Sequence, residues 1–286
     1  MKVTERPPGM NTHGMVAWLA EMKCGKDVMN FVVIGNDIDW EIGSFGVKED
    51  RHFWLASKFA REHGYPRIFI SANSGARIGI AEEVRACLKV EWIDESDPTK
   101  GFHYLYVTED DYAGLPKGSV TVERVDADRL RIVDVIGAKD GLGVENLAGS
   151  ALIAGETALA ADTTMTLTYV TGRTVGIGAY LARLGSRVIQ KVDQALILTG
   201  YTALNTLLGR DVYQSNLQLG GPQIMHRNGV SHLVVRDDLE GVGEIVRWLA
   251  YLPRARPVLH PTTSDPIDRP VSVAFALDRD PRRLFG

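Results

Sequence analysis

Residues Thr164–Gly185 read TMTLTYVTGRTVGIGAYLARLG. The first seven alternate threonine with larger apolar or aromatic residues, a strand pattern. The last eight return to the spacing of a short apolar-faced helix. Between them Gly172, Gly176 and Gly178 make the turn. A strand that passes through small residues straight into a helix points to an α/β fold, and the question is what the turn presents. A dinucleotide loop needs G-x-G-x-x-G after the strand and an acidic residue about 20 further on. Leu181 occupies the third glycine position, and Asp193 follows the run RVIQKV in a turn and not at a strand end. No Walker A loop, zinc-protease helix or G-x-S-x-G nucleophile turn occurs elsewhere.

A second stretch has the same build. ISANSGARIG, Ile70–Gly79, also runs from an apolar strand through small residues toward a helix start, and each stretch carries an arginine, Arg77 and Arg173. Helix N-termini leave backbone N–H groups unpaired and carry positive partial charge. Two such elbows aimed at one oxygen would form an oxyanion hole. Tight strand–helix junctions with no ligand are the other reading, and the residues alone leave both open.

The rest of the chain fits an α/β protein. NFVVIGND is a short strand, and Asp50–Gly64 has helical spacing at Phe53, Ala56, Phe59 and Ala60, with Asp50 as its cap, Gly64 as its end and Pro66 as a stop. RIFISAN is a strand, and SGARIGIAEEVRACLKV predicts a second helix through Ile80, Val84, Cys87 and Leu88. FHYLYV, VTVERV and LRIVDVIG read as strands joined by turns. GVENLAGSALIAGETALAA predicts a small-residue helix that packs closely along Ala151, Ala154 and Ala158. YTALNTLLG predicts another helix, HLVVRDD a strand, and DLEGVGEIVRWLAYLP a helix with Leu239, Val242, Ile245, Val246 and Leu249 on one face. Six of the twelve prolines fall between Pro253 and Pro281, so residues 254–286 are expected to be an extended tail after one unit over residues 1–253.

Composition narrows the function. The 286 residues are 45% apolar and 24% charged with a net charge of −4, which offers no electrostatic grip for nucleic acid. Two cysteines, Cys24 and Cys87, make no disulfide framework or all-cysteine zinc site, and His226 and His232 lack a third ligand at metal spacing, so no metal is expected. No signal-peptide core or membrane-length apolar run is present, and the expectation is a cytoplasmic protein. Lys23 in EMKC lacks the flanking pattern of a biotin acceptor.

Longer motifs carry a family likeness. GMVAW, GSFG, ANSGARIGIAEE, GFHYLYVTEDDY, DGLGVENLAGSALIAGETA, VTGRTVGIGAYLARLG, ILTGYTALNTLLGRDVY, SNLQLGGPQIM and NGVSHLVVRDDLEGV, in that order, resemble the carboxyltransferase region of eukaryotic multidomain acetyl-CoA carboxylases from about Pro8 onward. The resemblance implies a crotonase/ClpP-like superhelix of β-β-α units and matches the family's N-terminal lobe. It implies transfer of a carboxyl group from carboxybiotin, held on a biotin carrier domain, to acetyl-CoA, giving malonyl-CoA. It further implies oxyanion-hole amides at Ala76 and Ile177 with Gly176 beside them, and Gly75 and Arg77 at the first elbow. Arg173 would bind coenzyme A or a carboxylate, and Leu147 and Tyr180 would line the acyl pocket. In the family the site is completed by the C-terminal lobe of a second subunit in a homodimer. That lobe would follow Asp280–Pro281, so this chain is expected to hold half a site and to be inactive alone. A non-catalytic binding or dimerisation module and a propionyl-CoA carboxyltransferase are the alternatives.

Overall fold

The computed structural model describes residues 11–24, 27–135 and 147–252. Strand β1 (Met15–Cys24) pairs antiparallel with β2 (Asp27–Asn36), from Met15 opposite Asn36 to Cys24 opposite Asp27. Helix α1 (Val47–His63) leads to β3 (Arg67–Ser71), which lies parallel to β2. The short α2 (Glu82–Arg85) precedes a four-stranded antiparallel sheet of β4 (Lys89–Trp92), β5 (Phe102–Thr108), β6 (Val120–Arg124) and β7 (Arg129–Val135), with α3 (Glu109–Gly114) after β5. Helix α4 (Leu147–Thr163) returns the chain to the main sheet.

Two turns of a repeat follow. Strand β8 (Thr166–Val170), the two-residue β9 (Thr174–Val175) and α5 (Ile177–Leu184) form one; β10 (Arg187–Lys191), β11 (Leu196–Ile197) and α6 (Tyr201–Leu208) form the next. The short helices α7 (Leu217–Gly220) and α8 (Pro222–Met225), β12 (Leu233–Val235) and α9 (Asp238–Ala250) complete the described chain. The long strands make one six-stranded sheet in the order β1-β2-β3-β8-β10-β12, and β9 pairs with β11 in a second, small one. Each repeat is therefore strand, short strand, helix, the β-β-α unit of a crotonase-type superhelix.

The central strands are buried on both faces, as parallel strands covered by helices must be, and all five residues of β8 are inaccessible. Alternation sends Phe69 to one side, with Phe45, Phe53, Ile153, Ile177 and Leu181 under α1, α4 and α5. It sends Ile68, Leu167 and Tyr169 to the other, against Ile245 and Leu249 of α9. Phe45, Phe53 and Phe69 meet edge to face with centroids 5.3–6.5 Å apart. Among the described residues no helix is long and apolar enough to cross a membrane.

Four local expectations need correction. Helix α1 starts three residues before Asp50, capped by Gly46, and Glu49 accepts the Gly46 N–H at 3.1 Å; the stop at Gly64 in a left-handed conformation is as expected. Residues 74–81 are not helical: Ala76 bridges to Phe45, which uses the backbone as a strand would, and α2 is only four residues long. Helix α4 turns Ile153, Glu156, Thr157 and Ala160 inward, with Ala154 half-buried against the core as expected, while Ala151 and Ala158 face solvent; its contact with α1 combines Ile153 and Ala154 in the apolar core with an Arg61–Glu156 ion pair at 2.9 Å. In α9, Leu239, Val242 and Val246 are exposed; Gly241 sits against the Tyr169 ring, where a Cβ would lie 2.5 Å from Oη, so the packed stripe runs Gly241–Ile245–Leu249. The expected tail, 254–286, lies outside the described residues.

Candidate active site

The two elbows stand at the C-terminal ends of adjacent parallel strands, β3 and β8, the edge where α/β sheets place ligands. They touch through glycines. Gly75 has φ +85°, and a Cβ there would lie 3.2 Å from the Val175 carbonyl oxygen; a Cβ on Gly176, φ +54°, would lie 3.7 Å from Gly75 Cα. Both positions thus need a residue that tolerates positive φ, and the first also needs one without bulk.

The backbone then decides which amides are free. Phe45 N–H donates to the Gly75 carbonyl at 2.9 Å and Arg77 N–H to the Phe45 carbonyl at 2.8 Å. In extended chain successive amides point to opposite sides, so the Ala76 N–H faces away from Phe45. In the second elbow the Gly176 N–H is committed to the Ile197 carbonyl at 2.9 Å, completing the β9–β11 pairing. Gly176 therefore supplies the turn, not a donor. The Ile177 N–H is the first of α5, where the helix partial charge is positive. Among the described residues neither the Ala76 nor the Ile177 N–H has a hydrogen-bond partner.

The expected side chains divide. Arg173 gives its carbonyl to the Asn73 N–H at 2.7 Å, and its guanidinium is exposed with no ion pair or hydrogen bond among the described residues. Arg77 is engaged elsewhere: Nε donates to Ser44 Oγ at 3.0 Å and Nη2 lies 3.3 Å from Glu49 Oε1. Burial pushes the Glu49 carboxyl up, but the Gly14 amide, its own helix-start amide and Arg77 outweigh it and hold the group below its ordinary value. Tyr180, one turn into α5, is half exposed. The Leu147 side chain lies outside the described residues.

Sequence reasoning missed Asn73. It is buried, and its Oδ1 accepts from Gly75 N–H at 3.3 Å and from Val175 N–H at 3.2 Å, one amide in each elbow. Its position between a strand and a Ser-Gly turn was the available signal. Asp238 was missed as well: it accepts from Thr171 Oγ1 at 2.6 Å and Tyr169 Oη at 2.7 Å and pairs with Lys191 at 3.1 Å, tying the second elbow to α9. His226 and His232 hold the loop before β12, the latter through Nδ1, which accepts the Val188 N–H at 3.0 Å. No cluster of three metal-ligating side chains occurs among the described residues.

Two free amides on abutting turns, with an unpaired arginine beside one of them, suit an anionic oxygen on an acyl group. The chain belongs to the carboxyl transferase domain family, whose model matches residues 22–281. Its relatives are more particular: it is 50% identical to acetyl-CoA carboxylase 2 of Oryza sativa subsp. japonica over 97% of this chain, and 48% identical to acetyl-CoA carboxylase 1 of Arabidopsis thaliana over all of it. Acetyl-CoA carboxylase of Schizosaccharomyces pombe is 47% identical over the full chain. The chain spans only 12–13% of the length of these relatives. A crystal structure of transcarboxylase 12S with hydrolysed methylmalonyl-coenzyme A superposes with a TM-score of 0.54 and 15% identity over 84% of this chain and 34% of that one, which supports the fold.

Proposed function

We propose that this chain is the N-terminal half of an acetyl-CoA carboxylase carboxyltransferase site, forming malonyl-CoA for fatty acid synthesis. The observation that carries the reading is the pair of unpartnered amides, Ala76 and Ile177, on two elbows in contact. Carboxylation of an acetyl thioester requires loss of a methyl proton and a new bond from that carbon to the carboxyl carbon. Negative charge develops on the thioester oxygen as the enolate forms. Donors already aimed at that oxygen, on backbone that cannot relax, lower the barrier; one such donor is typically worth about 3 kcal/mol. Arg173 holds an anionic part of the CoA ester from the open side, and Tyr180 lines the approach to Ile177.

The proton needs a base, and the side chains packed at the elbows, Ser71, Asn73 and Thr174, are not bases at neutral pH. Bound carboxybiotin, delivered by a carrier domain, would supply the carboxyl group, and the ureido nitrogen left by that transfer would be the acceptor of the methyl proton. This chain's donor set fits the thioester oxygen; the walls for the biotin ring belong to the C-terminal lobe of a second subunit. The exposed apolar residues of α9 and α6, including Leu239, Val242 and Leu207, support such a dimeric assembly, and the place of this enzyme is the cytoplasm.

The test is biotin-dependent malonyl-CoA decarboxylation, the reverse reaction, by this chain alone and by an assembly with a C-terminal lobe. Turnover is expected only in the assembly. Turnover by the chain alone overturns the half-site reading, and an inactive assembly supports a non-catalytic module. A preference for methylmalonyl-CoA over malonyl-CoA supports a propionyl-CoA enzyme.

A further inference from the structure

We propose that Asn73 is a positioning residue that fixes the distance between the two oxyanion donors; this rests on the carboxyltransferase reading above. The residue is 1% exposed. A single atom, Oδ1, accepts from Gly75 N–H at 3.3 Å and Val175 N–H at 3.2 Å. The free donors follow at once in the chain, Ala76 one residue after Gly75 and Ile177 two after Val175. The spacing of the elbows is therefore referred to one oxygen. The opposite end of the carboxamide is fixed as well: Nδ2 donates to Ser71 Oγ at 3.0 Å and Asn36 Oδ1 at 3.4 Å, and Asn36 Nδ2 donates to the Gly43 carbonyl at 3.1 Å. Donors on one side and acceptors on the other leave the amide one orientation, which only a neutral carboxamide satisfies.

Two observations give this chemical meaning. Gly178, in the first turn of α5, has no room for a side chain because a Cβ there would lie 2.5 Å from Asn73 Nδ2 and 2.7 Å from Cγ. The glycine that resembled part of a phosphate loop thus makes space for the clamp. An aspartate at position 73 would keep the acceptors and the volume. It would lose the donor, and it would put a negative charge beside the place where the enolate charge must form.

The experiment uses the full two-lobe enzyme and measures malonyl-CoA decarboxylation and thermal unfolding. Asn73→Asp is expected to remain folded with a lowered melting temperature, because a buried carboxylate replaces the donor, and to lose about 100-fold or more in kcat, the effect of misplacing an oxyanion donor, with KM within about threefold. Asn73→Ala/Gly178→Ala refills the vacated volume with the new Cβ. It is expected to restore the melting temperature relative to Asn73→Ala while kcat stays low. Loss of kcat without change in KM separates positioning from packing. If Asn73→Asp, or the double variant, retains kcat within about threefold of the parent, the inference is overturned. An inactive parent assembly would instead overturn the carboxyltransferase reading itself.

Discussion

The two elbows reach the same result by different backbone means. At the first, Ala76 is freed by a strand-like bridge: its neighbours bond to Phe45 on one side, and its own amide is left facing the other. At the second, Ile177 is freed by a helix start, where the first amides have no carbonyl to reach. The first is pinned by a carboxylate buried in the fold, Glu49 through Arg77; the second by one at the rim, Asp238 through Thr171. The difference teaches that two elbows buried alike where they meet, at Gly75, Thr174 and Ile177, are anchored differently, the first by a buried carboxylate and the second by one at the rim.

The largest effect should come from forcing them apart. Gly75→Val puts a branched side chain at φ +85° and against the Val175 carbonyl. The strain alone is about 1–3 kcal/mol, and the displaced second elbow should abolish turnover. Wild-type decarboxylation in this variant would show that the elbows need not touch.

The two arginines sharpen the comparison next, because their defects should cross. Arg77→Ala leaves the Glu49 carboxylate, 2% exposed, without its cation. That should cost about 2 kcal/mol, seen as a lower melting temperature, with CoA-ester affinity unchanged. Arg173→Ala removes a guanidinium with no partner among the described residues, so stability should hold while CoA-ester affinity falls about tenfold, the worth of one charge-assisted contact. Calorimetric titration and a melting curve on both variants decide it; an affinity loss in Arg77→Ala would return that residue to the binding site.

Gly176→Ala should do less than Gly75→Val. Its φ is also positive, but the nearest atoms to a new Cβ are 3.7 and 3.8 Å away, so the cost is backbone strain of about 1–3 kcal/mol without a clash. A melting temperature lowered as far as in Gly75→Val would show that the second elbow is as tightly built as the first.

How much of this could be read from the sequence follows the same division. The strands and helices that flank the second elbow carry period and caps, and TMTLTYV, IGAYLARL and YTALNTLL appear as expected. The first elbow did not, because SGARIGIA has the spacing of a helix, while the bridge from Ala76 to Phe45 that overrides it reaches a residue 31 positions away. The long β1 was missed for a related reason: MVAWLAEMKC alternates only in part, and its pairing with β2 is a tertiary fact. In α4 and α9 the periodicity gave the helix and part of the buried face, Ala154 in one and Ile245 and Leu249 in the other, but not Glu156 and Gly241, which pack inward through a charge partner and an aromatic ring that local patterns do not show. The proposed donors Ala76 and Ile177 were reached through the family likeness. Asn73 was not, because a residue that acts through two amides in separate elbows has no spacing to recognise.

The smallest expected effect concerns the two carboxylate anchors. Hydrogen bonds from Thr171 and Tyr169, and pairing with Lys191, hold the Asp238 carboxyl below its ordinary value of 3.8. A depressed folded pKa means that the unfolded chain binds the proton more readily. The stabilisation is therefore complete above about pH 4 and fades as pH falls through the lower folded value. Asp238 is 60% exposed, so solvent screens most of the effect. Asp238→Asn should flatten the fall in urea midpoint below pH 4 only slightly, whereas Glu49→Gln, at a buried carboxylate also held low, should flatten it more. Equal changes in the two variants would mean that burial of the carboxylate does not set the strength of its anchor, and the contrast between a buried anchor and one at the rim would fail.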